Sequence, residues 1–230
     1  MMENMEKKQI GVLISGRGSN LQALIDACKQ PDYPATISIV ISNRPKAPGL
    51  QRCAEHRIPT KVVDHKLYSS RESFEVDLSR ELMDAGVDYV CNAGFMRLLT
   101  ERFVETWYNR QLNIHPSLLP AYKGLHTHER VIADGVRITG CTVHFVRTEM
   151  DSGPIVAQAA VPVMAGDTAD QLAARVLKAE HLLYPHALKL VASGIISVEK
   201  DEIACNPNQI DGGTENLGGE MLFAPALLAT

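Results

Sequence analysis

Two short segments near the N-terminus, Gly11-Val12-Leu13-Ile14 and Ile37-Ser38-Ile39-Val40-Ile41, are apolar almost without interruption. A strand with one wet face alternates polar and apolar side chains, so a run that fails to alternate is covered on both faces. Such burial favours a parallel sheet, whose neighbouring strands are joined by long crossovers that are usually helices. The chain supplies that rhythm. Strands predicted at Ile10–Ile14, Thr36–Ser42, Thr60–Val63 and Val87–Ala93 alternate with amphipathic stretches at Leu21–Cys28, Gly49–His56 and Ser70–Ala85. The expected fold class is α/β, a doubly wound and mostly parallel sheet.

Beyond His115 the pattern changes. Thr139–Val146 and Ile155–Val163 alternate, and the segment between them carries the turn residues Asp151-Ser152-Gly153-Pro154, so the sheet is expected to end in an antiparallel strand pair. Asp170–Ala192 has helical apolar spacing interrupted by Pro185, which predicts one long kinked helix or two. A chain of 230 residues suits one domain, placed at 8–204, and the Asn/Gly-rich stretch 205–230 reads as a loosely structured C-terminal tail. The net charge of −4 offers no general attraction for a phosphate backbone, which argues against a nucleic-acid partner. Five cysteines occur singly with no C-x-x-C, as reduced thiols in a cytoplasmic protein would. The N-terminus lacks the order of a signal peptide, and no apolar run is long enough to span a bilayer.

The chemistry concentrates in LNIHPSLLPAYKGLHTH, residues 112–128. Asn113 and His115 stand two apart on an extended segment, so their side chains share a face. An amide N–H and an imidazole converging on one point can hold an oxyanion and exchange a proton, as attack of an amine on an acyl carbon requires. The same pair could also merely close a strand, with Asn113 capping a turn. Asp151 reads by itself as turn chemistry; placed beside His115, its charge would favour the imidazolium. His126 and His128, with His115 and His144, admit a metal site on paper, but the chain lacks His-Glu-x-x-His or a similar ligand pattern, and no metal is expected.

At the other end, Ile10–Ile14 runs into Ser15-Gly16-Arg17-Gly18-Ser19-Asn20 and then a helix. A glycine-rich strand-to-helix turn exposes backbone N–H groups at the positive end of the helix dipole, which suits a monophosphate. It is neither a Walker loop nor the dinucleotide fingerprint. The alternative is a plain turn with Ser19 or Asn20 as N-cap.

The stretches SGRGSNLQAL, NAGFMRLL, LNIHPSLLPAYKGLHTH and GCTVHFV followed by DSGPIVAQ, in that order, resemble the phosphoribosylglycinamide formyltransferases of the folate-dependent formyltransferase superfamily, over about residues 10 to 200. The resemblance implies a Rossmann-like formyltransferase fold. It implies transfer of a formyl group from the co-substrate 10-formyltetrahydrofolate to the amino group of glycinamide ribonucleotide, a step of purine biosynthesis, without a metal. By position it assigns catalysis to Asn113, His115 and Asp151, the ribonucleotide phosphate to Gly18, Ser19 and Asn20, and the glycinamide part to Glu180. Folate contacts fall to Arg71, to Met96, Arg97, Leu98 and Leu99, to Asn113, and to Arg147, Thr148, Glu149, Met150 and Asp151. Here the chain departs from the family, which more often has an acid at position 148 and a smaller polar residue at 147. The expected partners are these small molecules, with no membrane and no nucleic acid, on a monomer or homodimer. Competing readings are a formyltetrahydrofolate deformylase, which usually carries a preceding regulatory domain, and a non-catalytic ribonucleotide-binding module. A tRNA formyltransferase would call for a further C-terminal domain and a basic surface.

Overall fold

The computed structural model describes residues 6–205, 215–216 and 221–225. The chain divides into two compact units, Met1–Asn113 and Ile114–Thr230. The first runs β1 (Lys8–Ile14), α1 (Ser19–Cys28), β2 (Ala35–Ser42), α2 (Gly49–His56), β3 (Thr60–Val62), α3 (Arg71–Asp84), β4 (Tyr89–Asn92), α4 (Glu101–Thr106) and β5 (Gln111–His115), whose last two residues open the second unit. All its strand pairs are parallel: β1 with β2 and β4, β2 with β3, and β4 with β5. The chain steps outward from β1 through β2 to β3, then returns to the other side of β1. The reversal makes β1/β4 a topological switch point, the place where open α/β sheets bind ligands.

The unbroken apolar runs are explained by cover on both faces. Leu13 packs in one cluster with Phe74, Leu78 and Leu82 of α3 and with Phe103 and Trp107 at α4. Gly11, two residues away, faces the same side, where a Cβ would lie 2.4 Å from Leu82. Ile14 points the other way, and a Cβ on Gly49, the first residue of α2, would lie 2.8 Å from its Cδ1. Each side chain of this size taken wholly out of water contributes about 1.5–3 kcal/mol. β1 and β2 begin two residues and one residue before the expected strands, β3 and β4 are shorter than expected, and α4 adds a short helix that the sequence reading did not include.

In the second unit α5 (Thr127–Ala133) precedes β6 (Ile138–Phe145) and β7 (Ile155–Pro162), an antiparallel pair that was expected from their alternation. Then come α6 (Ala169–Ala192), the hairpin β8 (Ile196–Glu199) with β9 (Glu202–Cys205), and the short strands β10 (Glu215–Asn216) and β11 (Leu222–Ala224). Within the stretch read as a loose tail, β11 pairs with β7, while the other positions of 206–230 except 215–216 and 221–225 lie outside the described residues. α6 is one helix of 24 residues despite Pro185. Thr168 and Gln171 close a reciprocal capping box at its start, and Leu172, Val176, Ala179, Leu183, Ala187 and Leu190 bury one continuous stripe on β6 and β7. Packing of that stripe outweighs the proline penalty, about 3 kcal/mol in a helix interior.

His186 on α6 is buried, and burial lowers its pKa from 6.5 to about 4, with Lys189 acting in the same direction and a bond to the Pro225 carbonyl opposing them. As pH falls between those values the unfolded chain takes up a proton that the folded chain refuses, so stability is full above pH 6.5 and declines toward pH 4. The loss is on the order of 3 kcal/mol. Urea unfolding at pH 7 and pH 4.5 should show a smaller acid loss in His186→Gln than in the parent chain; equal losses would remove His186 as the source.

Candidate active site

In the first unit the turn after β1 is built from close backbone approach. Gly18 caps α1 in the left-handed conformation at φ 68°, with no side-chain cap. A Cβ there would lie 2.9 Å from the Cα of Gly49, whose own N–H donates to the Gly16 carbonyl at 3.0 Å. Glycine is required at 18 both by φ and by space. The cap is thus Gly18 and not Ser19 or Asn20, and the first turn of α1 is capped by no side chain, which suits an anion. The turn from Ser15 to Asn20 lines a concavity of about 280 Å³ together with Arg44, Ala93, Gly94 and Met96. Gly18, Ser19, Asn20 and Met96 are therefore brought to one place, with the Arg17 and Arg44 guanidiniums at its wall.

Buried polar groups hold that place open. The Ser15 hydroxyl donates to Asn43 Oδ1 at 2.6 Å and accepts from the Met96 N–H at 2.8 Å, and the Ser15 N–H donates to the Gly94 carbonyl. One serine thus ties the turn to the start of the 96–99 segment. That segment is irregular, and α4 begins only at Glu101 with Thr100 as its cap. Met96, Arg97 and Leu98 are exposed, whereas Leu99 packs on the core cluster. Arg71 is exposed at the first position of α3. The far end of the segment is anchored by Glu75, a buried carboxylate of α3 that accepts from the Thr100 N–H at 2.9 Å and from its hydroxyl. Burial raises the Glu75 pKa, opposed by those bonds from Thr100.

The second unit brings His115 and Asp151 together. His115, 6% exposed, donates from Nε2 to the Tyr122 carbonyl at 2.9 Å, and its Nδ1 lies 3.4 Å from Asp151 Oδ2. The ring thus has an acceptor near each of its two nitrogens. Asp151 sits at φ 52°, a left-handed conformation that Asp tolerates better than most residues. Its Oδ2 also accepts from the Gly124 N–H at 2.8 Å, and its Oδ1 lies 3.8 Å from Nε2 of His144. The loop carrying Gly124 is itself fixed: Arg130 donates to the Lys123 carbonyl and stacks over the Tyr122 ring. Asn113 is half-buried two residues before His115 on β5, so strand geometry turns both side chains to the same side.

Among the other expected contacts, Arg147 is engaged by Asp201, with Nε to Oδ1 at 2.8 Å, and Glu149 pairs with Lys123 at 3.1 Å. Thr148 and Met150 are exposed. Glu180 is 7% exposed on α6, an unusual setting for a carboxylate that was equally compatible with a solvated helix face. It raises the pKa of Cys141, although burial is the larger cause, and that thiol is no nucleophile at neutral pH. His126 is exposed and pairs with Glu129, and burial lowers the pKa of His128 and of His144, keeping them neutral.

Sequence reasoning missed Glu75, the Ser15–Asn43 pair, the Gly124 N–H and the service of His144 to Asp151. Glu75 alone left a trace: it shares a helix stripe with Leu78 and Leu82, where a charge demands a partner.

A glycine-rich turn at a sheet switch point in the first unit and a carboxylate beside an imidazole in the second are features of an α/β protein. The profile of the family described as Formyl transferase matches residues 8–188, and the chain belongs to this family. It is 45% identical over 192 residues to the phosphoribosylglycinamide formyltransferase of Escherichia coli (strain K12), covering 84% of this chain and 91% of that protein. It is 49% identical over 200 residues to the trifunctional purine biosynthetic protein adenosine-3 of Bos taurus, covering 87% of this chain but only 20% of that protein. The chain thus spans about a fifth of the trifunctional relatives it matches. Among solved structures, glycinamide ribonucleotide transformylase 1 from Symbiobacterium toebii superposes with a TM-score of 0.84 at 44% identity, covering 86% of this chain and 94% of that one. A formyltetrahydrofolate deformylase from Burkholderia mallei shares the fold at 24% identity.

Removing the Glu75 anchor should loosen the 96–100 segment. Glu75→Ala leaves the Thr100 N–H without its buried acceptor and should cost about 1–3 kcal/mol. Glu75→Gln, which keeps one oxygen, should lose less. Equal unfolding midpoints for parent and Glu75→Ala would show that the carboxylate anchors nothing.

Proposed function

We propose that the chain transfers the formyl group of 10-formyltetrahydrofolate to the amino group of 5'-phosphoribosylglycinamide, giving N-formylglycinamide ribonucleotide and tetrahydrofolate in purine biosynthesis. The observation that carries this reading is the Asp151–His115 pair, at 3.4 Å, in a chain of the formyl transferase family. The glycine turn at 15–20 favours a phosphorylated acceptor over water, as does the likeness to proteins named for that ribonucleotide.

In this reading the turn of Gly18, Ser19 and Asn20 holds the ribonucleotide phosphate, and Glu180 binds the glycinamide part. The amine lone pair attacks the formyl carbon, and the carbonyl π electrons move to oxygen. Asn113 and the His115 imidazolium stabilise that oxyanion, a contribution that for one donor is about 10²–10³ in rate. The oxyanion collapses, the bond from carbon to folate nitrogen breaks, and the proton lost by the amine reaches that nitrogen. Asp151 maintains the imidazolium. Arg71, Met96, Arg97, Leu98 and the 147–151 loop are the proposed folate contacts; Arg147 would have to leave Asp201 to serve. The five free cysteines suit a reducing cytoplasmic setting.

The deciding assay follows formyl loss from 10-formyltetrahydrofolate by metal-stripped protein with and without the ribonucleotide. Turnover only with the ribonucleotide is expected. Turnover in its absence would make the protein a deformylase, and binding without turnover would make it a silent ribonucleotide module. His115→Ala should lower kcat by about 10³-fold or more, and Asp151→Asn, which removes charge and keeps shape, by about 10²-fold. Near-parental turnover by Asp151→Asn across the pH range would overturn the role given to that carboxylate.

A further inference from the structure

The first unit has a second concavity, of about 390 Å³, lined by Arg44, Pro45, Lys46, Asp64, His65 and Lys66 at the C-terminal ends of β2 and β3. Arg44, Lys46 and Lys66 form no ion pair among the described residues. The single carboxylate there, Asp64, is occupied: it caps the 3-10 turn His65–Leu67 by accepting from the Lys66 N–H at 3.1 Å, and it lies 3.8 Å from His65 Nδ1. Three cations therefore face one committed acid.

The concavity is also organised from beneath. Nδ1 of His65 is held at 2.9 Å by the carbonyl of Asn43, a buried residue whose side chain accepts from Ser15 in the phosphate turn. That bond fixes the imidazole and leaves its Nε2 with no protein partner among the described residues. The ring also stacks edge-on against Phe74, so its orientation does not depend on a ligand. Arg44 lines both concavities, so they share one wall residue.

We infer that this basic concavity is a second anion subsite, which takes the phosphoryl group lying beyond the one held by the 15–20 turn. The inference rests on reading that turn as a phosphate site. The proposed acceptor carries a single phosphate, which the turn consumes, so Lys46 and Lys66 are left over by the reaction. The ligand class is a diphosphate, free or as the end of a nucleotide, competing with the ribonucleotide.

Calorimetric titration at fixed ionic strength with inorganic phosphate, pyrophosphate and ADP tests it. Pyrophosphate should bind at least about tenfold more tightly than phosphate, the gain expected when one more charge-assisted contact group is engaged. Lys46→Ala/Lys66→Ala should abolish that gain while leaving phosphate affinity and formyl-transfer turnover unchanged. Lys7→Ala/Lys29→Ala, an equal charge loss elsewhere, should keep it. ADP binding more tightly than pyrophosphate assigns the subsite to nucleotides, and the reverse order assigns it to free diphosphate. Equal affinity for phosphate and pyrophosphate, or an equal drop in both double variants, overturns the proposal. Turnover, measured separately, tells that failure apart from a failure of the transferase reading.

Discussion

The position of β1 governs most of the first unit. A strand covered on both faces has no water for its amides and carbonyls, so it must pair on both edges, and β1 does so with β2 and β4. Pairing on both edges forces the chain to wind outward and then return, and the return opens the ends of β1 and β4 to a ligand. The place of the glycine-rich turn after β1 is thus a consequence of burying β1. Gly18 and Gly49 bring the loop after β1 against the start of α2, and Ser15 gives the neighbouring 96–99 segment its first fixed point.

A comparable economy of groups holds the second unit's chemistry. Asp151 has two oxygens and three neighbours: His115, the Gly124 amide and His144. Of these the amide is a fixed dipole that cannot leave. A carboxylate bound by a backbone N–H keeps its direction whatever the side chains beside it do. Burial lowers the pKa of His144 and outweighs the opposing pull of Asp151.

How much of this the sequence disclosed depends on distance along the chain. Asn113 and His115 could be placed on one face because a strand has period two, and β1 to β4 because apolar runs and helical periodicities are local. Asp151 could be named only through resemblance, since nothing within 36 positions fixes its approach to His115. Gly124 was visible as part of GLHTH, yet its use is a backbone N–H that any residue owns. Met96-Arg97-Leu98-Leu99 has good helix propensity, but Ser15 at one end and Glu75 at the other hold it irregular. Pro185 could have divided α6, and the buried stripe on β6 and β7 prevented it.

Net charge illustrates the same separation of local from global. A balance of −4 argues against a general attraction for a nucleic-acid duplex, yet it says nothing about an anion at one point. At ordinary ionic strength charges beyond about 8 Å are largely screened, so a small anion responds to the groups nearest it. Around the ends of β1, β2 and β3 those groups are Arg17, Arg44, Lys46 and Lys66 against the single, committed Asp64. The acids that make the chain negative sit on outer helix positions such as Glu101 and Glu105, or are spent in pairs such as Asp77 with Arg80 and Asp167 with Arg175. An acidic protein can therefore present a concentrated positive field where parallel strands end, because helix dipole, glycine turn and unmatched cations add at the same place.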